Sequence, residues 1–119
     1  MFKINIEKET IKNNNYRKVI YTDKFQQIVL MSLNVGEYIH QETHNGTQFF
    51  RIEQGTGVAE IGNTKNKVLL KDGISLTVPP NMLHKIINTN NIPLKFYTIY
   101  SPPQHEKNEI NKRQPSVDK

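Results

Sequence analysis

The chain has no cysteine among its 119 residues, and this absence removes several kinds of chemistry at once. Without a thiol there is no disulfide, no thiolate metal site and no cysteine nucleophile. Tryptophan is also absent, and Ala59 is the single alanine. Because helices draw heavily on alanine, whereas the apolar residues here are mostly isoleucine, valine, phenylalanine and tyrosine, the composition indicates strands.

Long apolar runs are missing as well, since none approaches the roughly 18 residues that a membrane helix needs. The first ten residues, MFKINIEKET, contain neither an uninterrupted apolar core nor a small-residue cleavage site. We therefore expect no signal peptide and no membrane partner, and we predict a cytoplasmic protein. The length is typical of one domain with a single core.

Charge of one sign is in slight excess, with a formal net charge of +5. The lysines are scattered and partly matched by acids, and the densest cluster, KNEINKR near the C-terminus, lies in a polar segment. This pattern is typical of a mildly basic solvated surface, so we predict no nucleic-acid partner.

Short segments rich in β-branched and aromatic residues follow one another between residues 16 and 101. They are separated by turn-forming pairs such as Gly-Asn, Asp-Gly and Asn-Asn. Many short strands at close spacing predict an all-β sandwich or barrel. We interpret residues 1–15 as an N-terminal arm, either an edge strand or an arm on a neighbouring subunit. Residues 102–119 have little to bury, and we predict a polar, disordered tail.

The segment GEYIHQETHNGTQFF crowds two histidines, a carboxylate and an amide that could serve as metal ligands into nine positions: His40, Glu42, His44 and Gln48. Because strand side chains repeat every two residues, Gln48 is expected on the same side as the apolar Phe50. The same rule places His84 with Ile86 in HKIIN. A polar group on an apolar inner face is costly unless a hydrogen bond or a metal satisfies it.

The spacing of these residues resembles the two sequence motifs of the cupin superfamily. The usual residues of the first motif are glycine, His-x-His, glutamate and glycine. Five residues of this chain occupy these motif positions: Gly36, Glu42, His44, Gln48 and Gly55. Four follow the second motif: Gly73, Pro79, His84 and Asn88. The resemblance covers residues 25 to 101 and implies a single-domain cupin, that is, a double-stranded β-helix or jelly-roll barrel. It also implies a homodimer, for which the outward-facing Phe49 could mark the interface.

Carried over position by position, the resemblance implies four ligands for one divalent metal ion: Glu42, His44, Gln48 and His84. Glu42 stands where the family's first histidine is usual, and Gln48 where its glutamate is usual. Asn81 replaces the turn glycine, which asparagine can do because it tolerates positive φ. Zn, Mn, Fe, Ni and Co all suit such mixed oxygen and nitrogen ligands, and the residues do not choose among them. His40 has no motif position and is interpreted as a loop or rim residue.

The variant with Glu42 and Gln48 is similar to small cupins described as mannose-6-phosphate isomerase-like. This similarity implies binding of, or action on, a small carbohydrate-like or oxygen-rich molecule, with Lewis-acid isomerase-type chemistry favoured. Two histidines and one carboxylate are also the ligand set of iron-dependent dioxygenases. A non-enzymatic ligand-binding module is the third alternative, so whether the chain is an enzyme stays open. Tyr97 and Tyr100 are candidate proton donors. The sequence does not determine which side chains of their strand face the barrel interior.

Overall fold

The computed structural model describes residues 1–115, which form one short helix and two antiparallel sheets. The helix α1 spans Ile6–Lys12. The strands are β1 Arg17–Thr22, β2 Gln27–Leu33, β3 Tyr38–Glu42, β4 Thr47–Gln54, β5 Thr56–Ile61, β6 Asn66–Lys71, β7 Ser75–Val78, β8 His84–Asn88, β9 Leu94–Ser101 and β10 Ile110–Asn111. Within residues 1–115, no helix is both long and apolar enough to span a bilayer.

The two sheets pack face to face. The large sheet has the strand order β10-β1-β2-β9-β4-β7, and the small sheet has the order β3-β8-β5-β6. Consecutive strands such as β3 and β4 lie in different sheets, so the chain crosses repeatedly between the layers. The prediction of an all-β jelly-roll barrel is confirmed.

Alternating side chains of each strand fill the space between the sheets. On β4 the buried residues Phe50 and Ile52 face this core, while Phe49 and Arg51 between them are only half-buried. On β9 the same alternation buries Phe96 and Tyr100. The period of two that the sequence shows in these strands is therefore the period of burial.

The N-terminal residues form a helix, which differs from the predicted edge strand. Asn5 caps α1, because its side-chain oxygen accepts a hydrogen bond from the Lys8 amide at 3.1 Å. The far end of the helix lies on the outer face of the large sheet. There the ammonium of Lys95 donates to the Ile11 carbonyl at 2.6 Å and to the Asn14 side chain at 2.9 Å. The segment packs on its own barrel.

Residues 102–115 also differ from the prediction of a disordered tail. The strand β10 pairs with β1, and the Gln114 side chain accepts a hydrogen bond from the Tyr38 amide at 2.8 Å. The anchor is Gln27, which is fully buried. Its side chain donates to the His105 carbonyl at 2.8 Å and accepts from the Gln104 and His105 amides at 3.1 and 3.0 Å. Hydrogen bonds hold this segment, and apolar composition therefore did not reveal its order. Residues 116–119 of the predicted tail lie outside the described residues.

Replacing Gln27 by methionine is expected to loosen the segment around His105 and to lower the free energy of unfolding by about 1–3 kcal/mol. Methionine has a similar volume, but it cannot pair with the backbone groups of residues 104 and 105. Hydrogen exchange at the His105 amide should become faster. The control is Gln26→Met at an exposed neighbour, expected to change stability by less than about 0.5 kcal/mol. Unchanged exchange at His105 in Gln27→Met would contradict the anchoring role.

Candidate metal centre

Two strand ends and one loop bring three of the predicted ligands together, namely Glu42, His44 and His84. Glu42 ends β3, and His84 begins β8 directly opposite it. A register shift between Ile39 and Glu42 produces this pairing, because a bulge in β3 turns the Glu42 side chain toward its partner. Gln48 comes from β4 in the large sheet.

His44 lies in the loop between β3 and β4, and the turn before β8 supports it. Asn81 in that turn has a positive φ of 66°, as the sequence predicts for the residue that replaces glycine. Its backbone amide donates to the His44 carbonyl at 2.7 Å. The two halves of the site are thus connected through their backbones.

The carboxylate of Glu42 lies between the two histidines. Its Oε1 is 3.0 Å from His44 Nε2 and 3.8 Å from His84 Nε2. The ligand atoms of these three side chains all lie within 4.8 Å of one another, which is the separation expected of groups that share one metal ion. Burial works to raise the pKa of Glu42, but the hydrogen bond with His44 and the electrostatic influence of His44 and His84 outweigh it. The net pKa is lowered, so Glu42 is ionised at neutral pH.

His84 has the tautomer that a metal ligand requires. Its Nδ1 lies 3.0 Å from the Met82 carbonyl, and this acceptor assigns the ring proton to Nδ1. The ring is 1% exposed, and this burial lowers the pKa of His84. A neutral ring with its proton on Nδ1 leaves a free electron pair on Nε2. Among residues 1–115, Nε2 is a buried atom without a hydrogen-bond partner.

Gln48 shows the same incomplete pairing. The side chain is 1% exposed, and its Nε2 donates to the Thr98 hydroxyl at 3.0 Å. Its carbonyl Oε1 is buried and has no hydrogen-bond partner in the described part of the chain. A buried polar atom without a partner typically costs about 1–3 kcal/mol, so an additional ligand for Oε1 would relieve an existing cost.

The donor set fits a divalent metal ion on this evidence. Two of the four predicted ligands have a buried, unpaired lone pair among residues 1–115, and a third is an ionised carboxylate. Imidazole nitrogen with carboxylate and amide oxygen suits Zn, Mn, Fe, Ni or Co. A purely structural histidine pair would be expected to use both ring nitrogens in hydrogen bonds, whereas His84 uses only one.

The structure separates the remaining sequence candidates. Tyr100 faces the site, because its ring packs edge-on against His44 with centroids 5.3 Å apart. Tyr97 lies on the opposite face of β9, where its ring is 6.3 Å from that of Phe49. It is therefore remote from the cluster. His40 is exposed, in agreement with its interpretation as a rim residue.

His105 is the site neighbour that sequence reasoning missed. It is half-buried, its ring packs edge-on against Tyr100 at 5.2 Å, and its Nε2 lies 3.3 Å from the Tyr100 hydroxyl. The signal was weak: it is one of four histidines, in a segment without an apolar pattern. Its position follows from the contacts with Gln27.

Comparison with known proteins agrees with this architecture. A crystal structure of a protein from Bacillus halodurans is 37% identical, with a TM-score of 0.91 over 94% of this chain and 89% of that one. The uncharacterised protein YrkC of Bacillus subtilis is 43% identical over 109 residues, which are 87% of this chain. This chain spans only 59% of YrkC. An uncharacterised protein of Acanthamoeba polyphaga mimivirus is 44% identical over 118 residues, covering 97% of this chain and 74% of that protein.

A family model described as the cupin domain matches residues 29–100, which include all four predicted ligands. The match agrees with the jelly-roll topology and with the two motifs recognised in the sequence. The chain therefore belongs to the cupin domain family.

Proposed function

We propose that this chain is a metal-binding cupin in which Glu42, His44, Gln48 and His84 hold one divalent ion. One observation carries the proposal. Within residues 1–115, the buried atoms without hydrogen-bond partners include His84 Nε2 and Gln48 Oε1, which belong to two predicted ligands on different sheets. A single shared cation would provide a partner for both unpaired atoms and for the Glu42 carboxylate.

The proposed substrate is a small carbohydrate-like or oxygen-rich molecule, and the proposed chemistry is of the isomerase type. A divalent ion held by one carboxylate keeps about one positive charge and polarises a carbonyl or hydroxyl oxygen. Burial raises the pKa of Tyr100 well above its usual value, so its phenol stays protonated. Tyr100 is therefore a hydrogen-bond donor or acceptor beside the site and is not an anion.

Metal analysis of the purified protein tests the proposal. The wild type should contain up to about one divalent ion per chain, and His84→Ala and Glu42→Ala should lose most of it, because each removes a donor from the first coordination sphere. His40→Ala is the matched control, since it removes an exposed histidine two residues from Glu42. A metal-free wild type after reconstitution, or equal occupancy in all four proteins, would reject the assignment.

A second candidate function is an iron-dependent dioxygenase. The observation that favours it is the compact set of two histidines and one carboxylate within 4.8 Å. The two candidates differ in their need for oxygen. With Fe²⁺ bound, oxygen consumption that depends on an organic substrate supports the dioxygenase, whereas turnover under anaerobic conditions supports the isomerase type.

A homodimer is part of the same proposal. The outer face of the large sheet carries the half-buried Phe49 and Tyr97, whose rings pack together. Such aromatic pairs are frequent in subunit interfaces. Light scattering of the wild type and of Phe49→Lys measures how far each protein dimerises. A monomeric wild type would exclude the homodimer.

A further inference from the structure

A column of three aromatic rings leads from the candidate metal centre to the C-terminal segment. Tyr100 is 2% exposed and lies between His44 and His105, with ring centroids 5.3 Å and 5.2 Å away. The polar contact in this column joins the Tyr100 hydroxyl to His105 Nε2 at 3.3 Å. Within residues 1–115 no hydrogen bond joins His105 to a predicted ligand, so its contact with the cluster is made through Tyr100.

The surroundings of His105 determine which of its ring nitrogens carries the proton. Glu109 Oε1 lies 3.9 Å from His105 Nδ1, and Arg17 holds the other oxygen of this carboxylate at 3.4 Å. Burial and the charge of Arg17 lower the pKa of His105 to about 4, so the ring is neutral at pH 7. A neutral ring beside a carboxylate keeps its proton on Nδ1. Nε2 is then an acceptor, and Tyr100 donates its hydroxyl hydrogen to it.

This direction of donation has a consequence for Gln48, which is the neighbour of Tyr100 across the β4–β9 pair. Burial raises the pKa of Tyr100, and a hydrogen bond with the Gln48 side chain lowers it in part, so the two side chains interact. With its hydrogen engaged by His105, the Tyr100 oxygen is the acceptor in this interaction and the Gln48 amide is the donor. The Thr98 hydroxyl is a second acceptor for the same amide, at 3.0 Å from Nε2. These two acceptors engage the NH₂ group of Gln48. The carbonyl Oε1, which has no hydrogen-bond partner in the described residues, is then the end of the amide that stays available to a metal ion.

We propose that His105 is a positioning residue that, through Tyr100, fixes the amide of Gln48 so that Oε1 and not Nε2 faces the metal. The inference rests on the proposed metal site and deepens it. An amide is a weak ligand with a carbonyl and an NH₂ end of nearly equal shape, and only the carbonyl can bind a cation. His105 lies outside residues 29–100, the part of the chain that the family model matches.

The test compares Co²⁺ binding by the wild type and His105→Phe, a change that keeps an aromatic ring but removes the acceptor. Without the acceptor nitrogen of His105, the Tyr100 hydroxyl is expected to donate to Gln48 Oε1 and to compete with the metal for this oxygen. Co²⁺ affinity should fall about 10- to 100-fold, in the range of other second-layer partners of metal ligands. The visible absorption of bound Co²⁺ should shift, because one oxygen ligand is lost. Equal affinity and equal spectra in both proteins would overturn the proposal.

The Gln48→Glu background supplies the matched control. A carboxylate has two equivalent oxygens, so one can bind Co²⁺ while the other accepts from Tyr100. In this background His105→Phe should therefore change Co²⁺ affinity less than threefold, on the order of ordinary mutational variation. A loss that persists undiminished in Gln48→Glu would show that His105 acts by another route and would reject the proposal.

Two further measurements keep the test decisive. Tyr100→Phe removes the connecting hydroxyl, so adding His105→Phe to it should cause no additional loss of Co²⁺ affinity. An additive loss would contradict the proposal.

If circular dichroism shows that His105→Phe does not fold, His105→Gln takes its place, because glutamine retains an acceptor. His105→Gln should fold and bind Co²⁺ with nearly wild-type affinity, and loss of binding in that folded variant would contradict the proposal. Absence of Co²⁺ binding in both the wild type and Gln48→Glu would instead reject the metal site itself.

Discussion

Addition of Zn²⁺ to about 100 times its dissociation constant is expected to raise the free energy of unfolding by about 2.7 kcal/mol. The ion binds the folded state, in which Glu42, His44 and His84 have been brought within 4.8 Å of one another, whereas the unfolded chain presents them separately. In a domain of this size, the increase corresponds to a rise of roughly 10 °C in Tm. Thermal unfolding followed by circular dichroism, with and without Zn²⁺, measures it.

The same experiment with variants assigns the effect to the site. His84→Ala should unfold at nearly the same temperature with and without Zn²⁺, because the buried Nε2 lone pair is gone. His40→Ala should respond like the wild type, since the His40 side chain is exposed. A full Zn²⁺ response in His84→Ala would place the ion elsewhere on the protein.

Phe50→Ala is expected to lower the free energy of unfolding by about 3–5 kcal/mol. The side chain is 1% exposed and packs against Phe96, with ring centroids 5.8 Å apart, so its removal leaves a cavity between the sheets. Phe50 also contacts His84 edge-on at 6.1 Å, and the variant should therefore bind metal more weakly as well. Urea denaturation measures the first effect and metal titration the second.

The matched control for this prediction is another phenylalanine. Phe25 is 72% exposed, and Phe25→Ala should change stability by less than about 0.5 kcal/mol. Comparable losses in the two variants would mean that the core does not depend on Phe50 as the structure indicates.

The sequence predicted the barrel well because its strands have one buried face each. Alternation of polar and apolar residues specifies which side chains face inward, and it correctly grouped Gln48 with Phe50 and His84 with Ile86. The cupin motifs then brought these two groups to one site. Both inferences use information local to a strand or a fixed spacing, which a single sequence contains.

What the sequence could not supply depends on contacts between distant segments. Glu42 and His84 lie opposite each other only because the register of β3 shifts, and no residue pattern in the sequence predicts this shift. The pairing of β9 with β2 and β4 decides which of Tyr97 and Tyr100 faces the barrel interior. The place of His105 follows from a buried glutamine 78 residues away, so a reading based on apolar composition assigned that segment to disorder.

The anchoring of the C-terminal segment by Gln27 also sets an order of events during synthesis. Residues 29–100, which carry every predicted ligand, are translated before residues 104 and 105. Until then the Gln27 amide lacks its three partners from that segment, and closing the barrel over it would cost about 1–3 kcal/mol. The end of the barrel that holds Tyr100 is therefore completed by a segment that is translated after all four predicted ligands. A nascent chain can have all four ligands in its sequence well before it has the complete site.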